Sequence, residues 1–193
     1  MSETSGHLDT FARDALPPRE LWPELRFDRI PELEYPARLN CASELLDAMV
    51  EDGFGDRTVF QFPGGRWTYQ QLLEISNQVA HVLVSDLGVV PGNRVLLRGF
   101  NGPMMAACWF AILKAGGIVV CTMPLLRARE LTFTADKARV TLALSDVRLA
   151  ADCATAMRSN GDGSPREGRC DTFGGEDGML DALMRDKIGR AHV

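Results

Sequence analysis

The sequence predicts an α/β protein built on a mostly parallel, doubly wound sheet with helices on its faces. Three observations carry this: strand-like and helix-like segments alternate from residue 58 to residue 157, the connections between them are short, and 46% of the 193 residues are apolar, enough for one substantial core. Parallel strands need right-handed crossovers of a dozen residues or so, and the helical segments supply them. No internal repeat is present. Gly 18 with Pro 10 is ordinary usage and excludes collagen-like or low-complexity chains.

The first forty residues hold Pro17, Pro18, Pro23, Pro31 and Pro36 among Phe11, Trp22, Phe27 and Tyr35, which reads as an extended arm that needs a surface to lie on. Asn40 is placed to cap a helix running to about Glu51, with Ala42, Leu45, Leu46, Met49 and Val50 at helical spacing and Gly53 and Gly55 as the stop. Thr58 to Phe62 is strand-like, Pro63-Gly64-Gly65 is a turn, and Arg66 to Tyr69 is extended again, so a hairpin is predicted. Thr68 and Gln71 have the spacing of a capping box. The helix they open carries Leu72, Ser76, Val79 and Leu83 on one face and stops at Gly88.

After the Pro91-Gly92 turn, Arg94 to Arg98 is a short strand, and the turn through Gly99, Asn101 and Gly102 leads to Pro103, the favoured first position of a helix. Helix Pro103 to Ala115 is apolar nearly all round, which requires burial on several sides. The run Gly102 to Leu126 is long enough to cross a bilayer. Lys114 at its middle, Gly116-Gly117 and Pro124 instead divide it into that helix and a strand from Ile118 to Met123, so no membrane span is expected. Leu126 to Ala138 reads as a helix, Val140 to Leu144 as a strand, and Asp146 to about Met157 as a helix. From Ser159 to Gly178 the composition turns to Gly, Asp, Ser, Pro and Arg, with a short strand at Cys170 to Phe173 and a final helix from Met179 to Asp186.

A charge balance of 21 basic against 26 acidic residues, net −5, disfavours a nucleic-acid partner. Five cysteines without a C-x-x-C pair indicate reduced thiols and a cytoplasmic protein, and the polar start MSETSGHLDTFARD lacks the apolar core of a signal peptide. His7, His81 and His192 are too scattered to build a zinc site with those cysteines.

The turn from Gly99 to Pro103 lies between a strand and a helix, where anions bind readily. Its spacing is G-x-x-G, and neither a G-x-G-x-x-G nor a Walker motif occurs, which favours a plain structural turn. His81 has Asn77, Gln78 and Ser85 at helical spacing and no carboxylate to orient it, which favours a structural histidine. Lys114 reads as a cation at a helix C-terminus, and the glycine-rich segments 161–168 and 174–178 as flexible loops. No catalytic, cofactor-binding or metal-ligating residue is assigned.

Two segments add a resemblance. Trp67-Thr68-Tyr69-Gln70-Gln71-Leu72, and Leu113-Lys114-Ala115-Gly116-Gly117-Ile118-Val119-Val120 running to Pro124, resemble the first two core motifs of the adenylate-forming superfamily of acyl-CoA synthetases, nonribosomal-peptide adenylation domains and luciferases. Leu87-Gly88-Val89 with Pro91-Gly92-Asn93-Arg94-Val95, in the expected order between them, resembles the turn usual there. More narrowly, His7 to Asp14, Leu16-Pro17-Pro18, Tyr35-Pro36 through Arg38-Leu39-Asn40, and Met123 to Arg127 resemble bacterial 2-aminobenzoate-CoA and benzoate-CoA ligases.

The resemblance implies the N-terminal subdomain of the adenylate-forming fold, incomplete in this chain, and an aromatic carboxylic acid and CoA as substrates of the complete enzyme. ATP and Mg²⁺ would serve its first half-reaction, in which the carboxylate attacks the α-phosphorus before CoA displaces AMP. The Ser/Thr/Gly-rich phosphate loop and the adenylation lysine of the family are not found in these residues, so the chain is expected to bind none of these groups tightly and to be inactive without the remainder of the AMP-binding domain. The expected layout is a proline-rich arm over 1–39, an α/β subdomain over 40–158, and a loop-rich start of the next region over 159–187. Residues 188–193, Ile-Gly-Arg-Ala-His-Val, have one encoding that matches a common sequencing adapter, and read-through is expected there in preference to a genuine short C-terminus. A standalone interaction module and a small nucleotide-binding domain using the Gly99 to Pro103 turn are the competing readings.

Overall fold

The computed structural model describes residues 6–24, 30, 35–36, 38–175 and 179–186. The suspected read-through at 188–193 and part of the proline-rich arm lie outside them. Four parallel strands form the sheet: β3 (Arg94–Arg98), β4 (Ile118–Thr122), β5 (Leu142–Asp146) and β6 (Arg169–Phe173), in the spatial order β4-β3-β5-β6. β1 (Thr58–Phe62) and β2 (Gly65–Thr68) make the predicted antiparallel hairpin, with a bulge between Thr58 and Phe60.

Helices cover both faces of the sheet because its inner strands alternate two apolar sets. Val95, Leu97, Leu142, Leu144 and Phe173 point to the side where α2 (Tyr69–Ser85), α3 (Pro103–Lys114) and α6 (Met179–Asp186) pack. Leu96 and Ala143 point to the other side, against α4 (Ala128–Ala138) and α5 (Ala150–Ala156), through Ala135, Cys153 and Met157. A third cluster of Leu46, Leu72 and Ala107 seats the hairpin, through Phe60 and Trp67, on the outer side of α2 and α3. The capping box forms as read: Gln71 N–H donates to the Thr68 hydroxyl at 3.3 Å, and Thr68 N–H to the Gln71 side chain at 2.9 Å.

The helix after Asn40 has wide i→i+5 turns at Ser43–Asp47 and Val50–Phe54 and is broken by a kink at Gly53, whose φ of +85° is not helical, close to the expected stop. Two boundaries differ from the sequence reading. The strand expected at Val140 starts at Leu142, because Arg139 ends α4 in the left-handed region at φ 49° and Val140 still donates to the Ala135 carbonyl. α5 is preceded by a tight 3₁₀ turn, Val147–Leu149, whose Arg148 N–H is taken by the Asp146 carboxylate at 2.9 Å.

Among the described residues the arm is not simply extended. α1 (Phe11–Asp14) is one helical turn and Arg19–Leu21 a 3₁₀ turn, while Leu8, Leu16 and Leu21 stay exposed. Its docking is polar. The Leu8 and Asp9 N–H groups donate to the Pro91 carbonyl at 2.9 and 3.0 Å, and Phe11 lies under the guanidinium groups of Arg94 and Arg139. Arg94, 8% exposed, donates to Asp9 Oδ2 at 2.5 Å and to the carbonyls of Gly92, Ala138 and Arg139. Gly92 has φ +92°, and a Cβ there would overlap the Asp9 carbonyl, so glycine is required where the arm crosses.

Candidate functional site

In a doubly wound sheet the chain reverses direction between two neighbouring strands, and ligands bind beyond the carboxyl ends at that point. Here β3 is followed by β4 on one flank and β5 on the other, which places the reversal at Arg98 and Asp146. Both are polar residues ending strands that are otherwise buried.

Arg98 is 1% exposed and forms no ion pair among the described residues. Its Nη2 donates to the carbonyls of Pro124 and Leu126 at 2.8 and 2.6 Å, and its Nη1 to Leu149 at 3.4 Å, tying the loop after β4 and the turn before α5 over the end of β3. Asp146 accepts the Arg148 side chain at 2.9 and 2.6 Å. That guanidinium and the Arg148 N–H together hold the carboxyl below the usual carboxylate range. Arg148 in turn lies 4.6 Å above the centre of the half-exposed Phe100 ring. Met123 and Leu125 stand at the rim, Leu125 being 80% exposed. This end therefore presents the exposed Arg148 guanidinium, an aromatic face and uncovered apolar side chains, which suits binding.

The sequence candidates fall elsewhere or prove structural. Gly99 lies at the reversal point, but a Cβ there would meet the Met105 sulfur at 2.9 Å and the Phe173 ring at 3.0 Å. Close packing explains this glycine, in keeping with a structural turn. His81 is half-buried on α2. Lys114 does more than sit at a helix end: its Nζ pairs with both Asp47 oxygens at 2.5 and 2.6 Å, while Asn40 Nδ2 donates to the Leu113 carbonyl at 2.8 Å, so α3 is fastened to the helix after Asn40. The segment 161–168, expected to be a flexible loop, is pinned by hydrogen bonds: Gly161 N–H and Arg166 both engage Asp136, and Ser164 engages Asp162. It borders a cavity of about 650 Å³ at the amino end of the sheet, lined by Arg139, Asn160 and Glu167 among others. Residues 176–178 of the second glycine-rich segment lie outside the described residues. Among the described residues no group of three or more His, Cys, Asp or Glu could hold a metal ion, and no helix is long and apolar enough to cross a membrane.

Sequence reasoning missed Arg98, Phe100, Asp146 and Arg148. The available signal was a charged residue closing each of two apolar strands.

Comparison with known proteins fits this architecture. A salicyl-AMP ligase/salicyl-S-ArCP synthetase of Mycobacterium tuberculosis is 41% identical over 95 residues, which is 48% of this chain and 16% of that protein. A benzoate–CoA ligase of Thauera aromatica is 28% identical over 96 residues, 50% of this chain and 18% of that protein. The chain thus spans less than a fifth of the length of either. Among solved structures, an anthranilate CoA ligase in complex with anthranoyl-AMP superposes with a TM-score of 0.67 at 22% identity, covering 79% of this chain and 28% of that one, a likeness of fold. The sequence pattern of the AMP-binding enzymes matches residues 48–179, from within the helix after Asn40 to the start of α6. That stretch takes in the hairpin, the whole parallel sheet and the residues at its carboxyl end, and the chain belongs to the AMP-binding enzyme family.

Proposed function

We propose that this chain is the N-terminal part of an ATP-dependent, AMP-forming aryl-acid–CoA ligase acting in the cytoplasm, and that benzoate or 2-aminobenzoate is the acid activated. The observation that carries the reading is the family match over residues 48–179. The aryl acids named for the salicyl-AMP ligase and the benzoate–CoA ligase support an aromatic substrate. In the complete enzyme the acid and ATP would give an acyl-adenylate and pyrophosphate, and the CoA thiol would then displace AMP.

The described residues do not by themselves fit the groups this chemistry needs. Developing charge at a transferring phosphoryl group calls for backbone donors, a metal and a cation, and no metal-holding cluster occurs among them. We propose that the chain is inactive alone. Its part in the enzyme is to supply the sheet and the face at its carboxyl end, with Phe100 and Arg148, against which the remaining domain closes.

Sequencing the gene beyond codon 187 tests the reading. An in-frame Ser/Thr/Gly-rich loop ending in Lys-Gly is expected, and the extended protein should catalyse pyrophosphate exchange dependent on benzoate or 2-aminobenzoate. An authentic stop codon directly after Lys187, or acid-dependent exchange by the 193-residue chain itself, would overturn it.

A further inference from the structure

Two helix faces of opposite charge lie on opposite sides of the sheet. On α4, Leu131 and Ala135 are buried, and the stripe pointing directly away from them is Arg129, Phe133 and Lys137, at successive i, i+4 positions. Phe133 is 66% exposed, and the Lys137 ammonium lies 5.9 Å from its ring centre. The acids of this helix are occupied elsewhere: Glu130 accepts the Arg127 N–H at 3.0 Å, and Asp136 holds the Gly161 N–H and Arg166. Arg129 and Lys137 form no ion pair among the described residues. The outer face of α4 thus carries positive charge around an apolar ring, in a chain of net charge −5. The helix after Asn40 has the reverse pattern. It exposes Leu45 among Glu44, Glu51 and Asp52, and none of these carboxylates is in an ion pair among the described residues. Arg57, the one cation between residues 40 and 57, is drawn over the Phe54 ring at 4.1 Å. This helix packs through Leu46 outside α2 and α3 and is fastened to the end of α3 by Lys114 and Asn40, which puts it on the side of the sheet away from α4. Within one chain the two faces cannot meet.

We propose that they meet between copies: the outer face of α4 is a docking surface for a second copy of this chain, which lays its Glu44–Asp52 helix there head to tail. Leu45 packs on Phe133, and Glu44, Glu51 and Asp52 face Arg129 and Lys137. The occupant is a second copy because its chain carries the complement in both respects, an acidic row and an exposed apolar side chain at its middle. The two surfaces differ, so the contact is heterologous and leaves one of each open at the ends, and association runs on into longer assemblies unless a ring closes. Both charged rows are exposed, so salt screens them: the Debye length falls from ~30 Å at about 0.01 M to ~3 Å at about 1 M. Docking of this kind is strongest at low salt, whereas contact through uncovered apolar side chains alone is not weakened by added salt.

The test mixes the 193-residue chain with a heavy-isotope-labelled copy at low salt and treats it with a carbodiimide, which joins a lysine to a touching carboxylate without a spacer. Mass spectrometry should find Lys137 linked to Glu44, Glu51 or Asp52 in peptides that pair a light with a heavy chain, and these links should vanish at about 1 M salt. A charge exchange supplies the second arm. Arg129→Glu with Lys137→Glu, and separately Glu44→Lys with Glu51→Lys, should each lose the low-salt association in sedimentation velocity, while circular dichroism shows both still folded. Mixing the two variants should restore it, because the acidic helix of the first then meets the unaltered α4 of the second. A link from Lys137 confined to its own chain would mean that the chain covers α4 itself, and no link at all would leave the face to a different acidic partner. Either result, or a mixture of variants that associates no better than each alone, would overturn the proposal.

Discussion

Replacing Asp9 by alanine should detach the arm from the sheet while leaving the sheet folded. Asp9 accepts three hydrogen bonds, from Arg94 at 2.5 Å, Asn93 at 3.0 Å and the Phe11 N–H at 3.1 Å. Arg94 keeps its three backbone carbonyls when Asp9 is gone, so its charge is not stranded. With the carboxylate 26% exposed and the guanidinium 8%, the pair falls between an exposed bridge worth ~0–1 kcal/mol and a buried one whose disruption costs ~3–5 kcal/mol. A loss of about 2 kcal/mol is expected, which at a urea m-value of about 2 kcal/mol/M lowers the midpoint by about 1 M. Pulse proteolysis in urea at submicromolar protein measures this without interference from self-association.

The pH dependence gives the argument its sign. The Arg94 hydrogen bond lowers the Asp9 pKa, so the stability it contributes is fully present above the ordinary value of about 3.9 and is lost as pH falls through the folded value. The gap between wild type and Asp9→Ala should hold from pH 7 to pH 5 and close only in stronger acid. A midpoint change below about 0.25 M at pH 7, set against that 2 kcal/mol/M slope, would refute the reasoning.

Asp171 is wholly buried on β6, its Oδ2 paired with Arg169 Nε at 2.8 Å, and burial raises its pKa despite that pair. Its penalty is absent below the unfolded value, grows as pH rises from there and is complete above the folded value, so Asp171→Asn should stabilise the chain by about 1–3 kcal/mol at pH 7 and lose that advantage in acid; equal urea midpoints at pH 7 would contradict this. Lys114→Met should cost about 1–2 kcal/mol, between the values for exposed and buried pairs, and a double-mutant cycle with Asp47→Asn should recover most of it as coupling. Additive losses would show that the pair does not fasten α3. The chain expressed alone should self-associate and bind a hydrophobic dye. Val84, Met123, Leu125 and Phe133 are exposed and β4 is an open edge strand, and each such side chain forgoes roughly 1.5–3 kcal/mol by staying uncovered. A monodisperse monomer with a cooperative melt would count against this.

Elements with local signals were legible in the sequence: the Thr68–Gln71 box, Pro103 at a helix start, and the glycines and proline that break the run from Gly102 to Leu126. Where the reading slipped, the cause was a choice that tertiary structure made. Arg139 caps α4 in a left-handed conformation that non-glycine residues seldom adopt, so the turn before β5 carried no glycine to mark it. The cluster at the carboxyl end of the sheet was hidden because strand order is not written locally, and because Arg98 is held by carbonyls 26 to 51 residues away. A carbonyl leaves no trace in residue identity. The family resemblance was legible for the opposite reason, since its motifs are short and contiguous.

The arm's attachment also orders events in time. Asp9 is 85 residues ahead of Arg94 in the chain, and at about 5–20 residues per second a ribosome needs ~4–17 s to make the interval. Phe11 then waits further for Arg139, the second of its two covering cations. Throughout synthesis of the hairpin, α2 and β3, the arm has no seat and lies open to proteases and chaperones. Its capture comes after α4 emerges, so a nascent chain stalled before residue 139 should be cut in the arm, whereas one stalled beyond β5 should be protected there.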